Sequence, residues 1–172
     1  LYTGIATDTG CFKYSNTTPK THLMAARLME CGAPADAINR EMFDMKSRAR
    51  LEIERQALAG IRFAFGDRCA VMTITRKMIS DAGAAEGDLE GLAPLPRQIE
   101  GVWVGVTMRE KEDGRYKVSL RTGTHADASK ICARLGGGGH VCAAGCTVSG
   151  SAQEAVDTVL SAIAAELPEI TA

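Results

Sequence analysis

Apolar and polar positions alternate most cleanly between residues 101 and 122, where Val104, Val106 and Met108 answer Tyr116, Val118 and Leu120 across a turn at Asp113-Gly114. Period-two alternation marks strands with one buried face. All six apolar residues carry even numbers, so even must pair with even. A two-residue Asp-Gly turn would pair odd with even and bury the wrong set. A three-residue loop, Glu112-Asp113-Gly114 with Gly114 left-handed, restores the parity. That register sets Arg109 against Lys117, Thr107 against Ser119 and Gly105 against Arg121, with Trp103, Arg109, Lys117 and Arg121 on the polar side. Taken alone, a cationic sheet face is most simply solvated surface.

Helical spacing dominates the first third. Thr18-Pro19 is a cap and first-turn pair, and Leu23, Ala26, Leu28 and Met29 follow before Gly32, which predicts a helix over 19–31. Pro34 opens a second helix with Ala37, Ile38 and Met42-Phe43 inward, and a third is expected over 47–64. Its charged residues Arg48, Arg50, Glu52, Glu54 and Arg55 read as a solvated face of exposed pairs. The character changes near Gly66. Cys69–Thr75 reads as a strand, a helix starts after Thr75, and 88–100, with Gly91, Pro94 and Pro96, reads as loop with one or two short helical turns. After the hairpin, Asp127 caps a helix through Leu135, four glycines follow, 143–149 is a strand, and Ser151–Glu154 is a capping box for a last helix reaching to Pro168. Strand, helix, hairpin, helix, strand, helix predicts an α/β domain with a mixed sheet flanked by helices over 66–172, preceded by a helical, incomplete segment over 1–65.

Composition narrows the function classes. The 172 residues are 45% hydrophobic and 24% charged, which excludes disorder, and no apolar run reaches the length of a membrane helix. A net charge of −1 excludes the broad basic surface that grips duplex nucleic acid, although a few local cations suffice for a small anion. Six cysteines without a secretory signal read as reduced thiols of a cytoplasmic protein. Cys132, His140, Cys142 and Cys146 are metal-ligand types close in sequence, but they match no CxxC knuckle, so buried, unreactive cysteines are the preferred reading. The chain opens on Leu1 rather than methionine, in an apolar stretch with no start cap, as a piece of something longer would.

Gly136-Gly137-Gly138-Gly139 exceeds what a helix stop needs. Four missing side chains let a ligand approach the backbone and leave amides to face an anion, with His140 as an adjacent donor. Asp8, between two threonines and before Gly10, suits either a helix cap or a metal ligand. His22 and His125 are isolated and read as structural or exposed.

Leu1-Tyr2-Thr3-Gly4-Ile5-Ala6-Thr7-Asp8-Thr9-Gly10 through Thr17 resembles the fourth motif of DHH-type phosphoesterases. Gly136–His140 with Ala143-Ala144-Gly145 resembles the signature of the DHHA1 domain that follows it, and Lys117–Arg121 resembles a further DHHA1 element. The match is nearest the bifunctional oligoribonuclease and pAp phosphatase group, loosely called exopolyphosphatase-related. The resemblance implies cleavage of very short oligoribonucleotides and of 3′-phosphoadenosine 5′-phosphate (pAp) by two Mn²⁺ ions. It implies Asp8 as a metal ligand, and Arg109, Arg121, Gly136, Gly137, Gly138, Gly139 and His140 as substrate-binding residues; Trp103 is a base-stacking candidate on position alone. It leaves a homodimer open. The aspartate-rich motifs and the Asp-His-His motif lie outside this chain, so the chain alone is expected to be inactive. A RecJ-like single-strand exonuclease, a cyclic-dinucleotide phosphodiesterase and a nucleotide-binding module without catalysis are the alternatives.

Overall fold

The computed structural model describes residues 1–170. Two compact units are present, Leu1–Lys46 and Ser47–Ala172.

The first unit is helical. Helix α1 spans Tyr2–Asp8, α2 spans Pro19–Glu30, and α3, Ala35–Asn39, runs on into one π-helical turn, Arg40–Asp44. Thr18 caps α2 as its sequence predicts, its hydroxyl accepting from the Thr21 amide with Pro19 in the first turn. The core is small: Tyr2, Ala6, Ala25 and Ala35 are buried, and Asn39 Nδ2 donates to Tyr2 Oη at 3.1 Å. His22 stacks on Phe12 with ring centroids 5.0 Å apart, a structural fate.

The second unit is an α/β fold on a six-stranded mixed sheet. Helix α4, Arg48–Ala59, is shorter than expected. Gly60 closes it by donating to the Gln56 and Ala57 carbonyls, and Arg62–Ala64, expected to be helical, forms strand β1 because it finds an antiparallel ladder on β2, Cys69–Ile74. Helix α5, Arg76–Ala82, and two short 3-10 turns, Glu86–Leu89 and Leu95–Gln98, lead to β3, Val104–Glu110. Strand β4, Tyr116–Thr122, returns antiparallel, with Gly114 left-handed at φ 77° and the Lys111 amide on the Arg115 carbonyl. The three-residue loop and its register are therefore as the parity argument requires, Val106 opposite Leu120 and Arg109 opposite Lys117. Helix α6, Ala128–Ala133, carries the Asp127 cap; β5 is Gly138–His140, β6 Ala143–Val148 and α7 Ala152–Glu166 behind its Ser151–Glu154 box. Strand order is β1-β2-β3-β4-β6-β5, with only β2 and β3 parallel. Strand β5 is a second departure: the second half of the glycine run, Gly138 and Gly139, belongs to an edge strand rather than a loop.

Side chains alternate between two faces. On one, Val104, Val106, Met108, Val118, Leu120, Ala144 and Cys146 meet Ile131 and Cys132 of α6 and Ala155, Val159 and Ile163 of α7. On the other, Met72 and Ile74 of β2 pack against Ile53 and Ala57 of α4, with Leu92. This second cover stops short: among the described residues its buried cluster includes none from β4, β6 or β5, whose residues on the same face are exposed or half-buried, so that half of the sheet is bare.

Candidate functional site: a cationic trough on the bare half of the sheet

Register fixes what stands on the bare face. Arg109, Lys117 and Thr147 form one row; Thr107, Ser119, Gly145 and Gly138 the next; Gly105, Arg121, Ala143 and His140 the third. Directly paired residues point to the same side of a sheet. The expected residues Arg109, Arg121, Gly138 and His140 therefore share one face, although they come from three different strands. The middle of that face is small. Gly138, Gly145 and Ala143 lay a low floor, and the 3-10 segments raise one wall.

Two hollows occupy the floor. One, about 350 Å³, is bounded by Glu86, Thr107, Arg109, Lys117, Ser119 and Arg121. The other, about 490 Å³, is bounded by Lys111, Gly136, Gly137 and Gly145 and shares Lys117 and Ser119 with the first. Together they make a trough across β3, β4 and β6. Volumes of this order suit small organic ligands. His140 is exposed in its row and lines neither hollow.

The charge in the trough is unevenly neutralised. Arg109 Nη1 donates to Glu86 Oε1 at 2.6 Å. Arg121 Nη1 donates only to the Leu120 carbonyl at 2.8 Å, and among the described residues neither Arg121 nor Lys117 has an ion-pair partner. Anion binding is the chemistry such a floor can perform: a guanidinium offers a planar fork to a phosphate, and an ammonium a point charge.

The four glycines divide by task. Gly136, at φ 73°, and Gly137 close α6 by donating to the Ala133 and Cys132 carbonyls. A Cβ on Gly137 would lie 2.2 Å from the Gly145 carbonyl oxygen, and one on Gly139 2.6 Å from that of Ala143. These two are glycine so that β5 can lie against β6. Gly136 and Gly138 both have open space where a Cβ would stand, but only Gly138 has it without a left-handed backbone, in the row of Gly145 that borders the second hollow.

Trp103 leaves the polar face. The amides of Trp103 and Val104 both bond the Arg68 carbonyl, a bulge that breaks the alternation just before β3. The indole packs against the α6–α7 core instead, stacked on His125 at 4.6 Å and capped by the Arg68 guanidinium at 4.8 Å. Cys132 and Cys146 are buried together in that core, and Cys132 is pushed well above the usual range by the neighbouring Cys146 thiol and by burial. Cys142, in contrast to the expectation of burial, is exposed at the β5–β6 turn because its side chain has no layer to enter there.

Asp8 is the last residue of α1, exposed, and so not an N-cap; Asn16 Nδ2 donates to its main-chain carbonyl. Among the described residues no group of three or more His, Cys, Asp or Glu side chains could hold a metal ion. One exposed carboxylate does not fit a Mn²⁺ centre, which needs several anionic or imidazole ligands.

Comparison with known proteins bears on this geometry. The DHHA1 domain matches residues 66–169, which contain every residue of the trough. The chain belongs to the DHHA1 domain family. The DHHA1 match starts at residue 66, while the compact units divide after Lys46. Over 169 residues, 97% of its length, this DHHA1 chain is 40% identical to half of the bifunctional oligoribonuclease and PAP phosphatase NrnA of Thermus thermophilus. It is 27% identical over 154 residues to a probable enzyme of the same name from Streptococcus mutans, covering 84% of the chain and 46% of the relative. An exopolyphosphatase-related protein from Bacteroides fragilis superposes with a TM-score of 0.89 at 27% identity, over 99% of this chain and 50% of that one. The chain thus spans about half the length of the curated relatives it matches.

Arg97 escaped the sequence reading, since it lies in a segment read as loop. The signal was present in two glycines: Gly105 interrupts a valine-rich strand, and Gly123 follows β4 on the same parity as Arg121.

Proposed function

We propose that this chain is the substrate-gripping part of a metal-dependent phosphoesterase that hydrolyses short oligoribonucleotides and pAp. The observation that carries the proposal is the trough itself: Arg109, Lys117 and Arg121 beside hollows bordered by Gly136, Gly137 and Gly145, within a DHHA1 domain. Support for the substrate class comes from the names of the relatives, which act on oligoribonucleotides and PAP. In this reading Arg121 and Arg109 hold phosphates, Gly138 and the backbone beside it let the ligand lie close to the sheet, and His140 donates from the rim. Two Mn²⁺ ions are the proposed cofactor of the whole protein, with Asp8 the single ligand offered here, and a cytoplasmic location agrees with six unbridged thiols.

Calorimetric titration of this chain with pAp, without Mn²⁺, tests the proposal. Binding is expected, weakened roughly ten- to a hundredfold by Arg121→Ala, the range for lost hydrogen bonds to charged groups. Equal affinity for wild type and variant sinks it. The chain alone is expected to release no AMP from pAp when Mn²⁺ is added, so Mn²⁺-dependent release would refute the division of labour.

A further inference from the structure

Arg97 is held in an unusual way. Its backbone lies directly over Gly105: a Cβ there would meet the Arg97 amide nitrogen at 2.5 Å and its Cα at 2.8 Å. Its guanidinium lies over Gly123, where a Cβ would stand 2.4 Å from Nη2. Two positions on two strands are thus emptied of side chains to seat one arginine. The seat is stiff, since Arg97 follows Pro96 in the 3-10 turn Leu95–Gln98, which Pro94 opens, and its amide bonds the Pro94 carbonyl.

What the seat lacks is a counter-charge. Nε of Arg97 is buried and has no hydrogen-bond partner, and among the described residues no carboxylate pairs with this guanidinium. Arg50 also has a buried, unpartnered Nε, but it stands near Asp88, whose carboxyl is held below the usual range by the Ser47 hydroxyl, the Ala85 amide and then the Arg50 charge. Arg97 has no such neighbour. The charged residue beside both notches is a like charge: Gly105 pairs with Arg121, and Gly123 is two residues beyond Arg121, just past the end of β4. Successive same-face positions on a strand are about 7 Å apart. Two arginines seated over positions that close repel each other, and an anion between them removes the repulsion.

We propose that Arg97 and Arg121 together clamp one phosphoryl group of the ligand, at the end of the trough opposite Arg109 and Lys117. The inference rests on the trough being the ligand site and adds a residue and a subsite to it. A phosphate offers each fork an oxygen pair, satisfies the orphaned donor and cancels the repulsion, which neither arginine can do for the other. The two cation pairs are four residues apart along β4, roughly 14 Å.

The test compares pAp, AMP and adenosine as ligands of the full chain, titrated at several salt concentrations, for wild type, Arg97→Gln, Arg97→Lys and Arg121→Gln. Arg97→Gln is expected to weaken pAp roughly tenfold and to lower the dependence of affinity on salt by about one ion, while adenosine binding is unchanged. Arg97→Lys keeps the charge but not the fork and should recover part of the affinity. Combining Arg97→Gln with Arg121→Gln should lose less than the sum of the singles, since both side chains hold one group. Should thermal melting show Arg97→Gln to be unfolded, the Lys variant carries the comparison, because loss of the fork alone must still weaken pAp. Wild-type pAp affinity and salt slope in both Arg97 variants, with Arg121→Gln weakened, overturns the clamp and leaves the trough standing. No wild-type binding of pAp overturns both.

Discussion

Alanine substitutions along the glycine run should separate packing from function one residue at a time. At Gly137 a methyl group would stand 2.2 Å from the Gly145 oxygen and 2.5 Å from Cys146 Cβ, both belonging to the neighbouring strand. Relief needs about 1 Å of separation between β5 and β6, and neither obstacle is the free end of a flexible side chain. Overpacking of this kind costs about 1–3 kcal/mol, and the lost backbone contact places Gly137→Ala at the upper end. For a chain of this size about 3 kcal/mol lowers the melting temperature by roughly 6–12 °C. Gly139→Ala should match it, with φ 152° and a Cβ contact at 2.6 Å. Gly136→Ala forces alanine into the left-handed region, a cost of about 1–2 kcal/mol.

Gly138→Ala reverses the sign. Its backbone is not left-handed and nothing lies within 4 Å of the added carbon, so restricting the unfolded chain should stabilise the fold by about 0.4–1 kcal/mol. The same methyl group rises from the trough floor beside Gly145 and should weaken pAp. Melting followed by far-ultraviolet circular dichroism, with pAp titration of each variant, gives both readings. If Gly137→Ala melts with wild type, or Gly138→Ala melts far below it, the division of the glycines is wrong. If Gly138→Ala is stable and binds pAp unchanged, the floor does not touch the ligand.

Two further outcomes follow from groups beside and beneath the trough. Glu86→Gln should tighten pAp, because the carboxylate competes with the phosphate for Arg109; it is 77% exposed, so the pair contributes about 0.2–1 kcal/mol and is cheaply displaced. Weaker binding by this variant would mean instead that Glu86 positions the arginine. Native thiol titration at pH 8 should modify Cys31 and Cys142 at once and leave Cys69, Cys132 and Cys146 protected until unfolding. Burial pushes the Cys69 thiol up to about 12, so the folded state holds its proton between the unfolded value near 9 and that pH. Stability should therefore be lost as pH rises through this window, by about 1.4 kcal/mol per unit from this thiol, and Cys69→Ala should flatten the slope.

The hairpin was legible to the level of register because six apolar side chains had to reach one face, and the two-residue Asp-Gly turn would have sent one set of three to the other. The capped helices were legible for a similar reason: Thr18, Asp127 and Ser151 each satisfy amides that water would otherwise have to serve. Strands β1 and β5 were not. Each is three residues long, too short for a period to register, and each exists because a neighbouring strand offers unpaired backbone groups. Trp103 shows the limit of parity itself: one bulge at the Arg68 carbonyl sends the side chain to the opposite layer.

The site was half legible, and the division has a physical cause. Arg109, Arg121, Gly138 and His140 lie on paired strands, so their common face follows from register once β5 is known to be a strand. Arg97 reaches that face from a loop, through notches at Gly105 and Gly123 that have meaning only when the loop is folded down. A binding floor made of strands thus carries its pattern in local sequence, whereas the walls above it are specified by pairs of positions distant along the chain. Glycine inside an otherwise β-branched strand is the trace such a wall leaves, because a backbone can approach a sheet that closely only where no side chain stands.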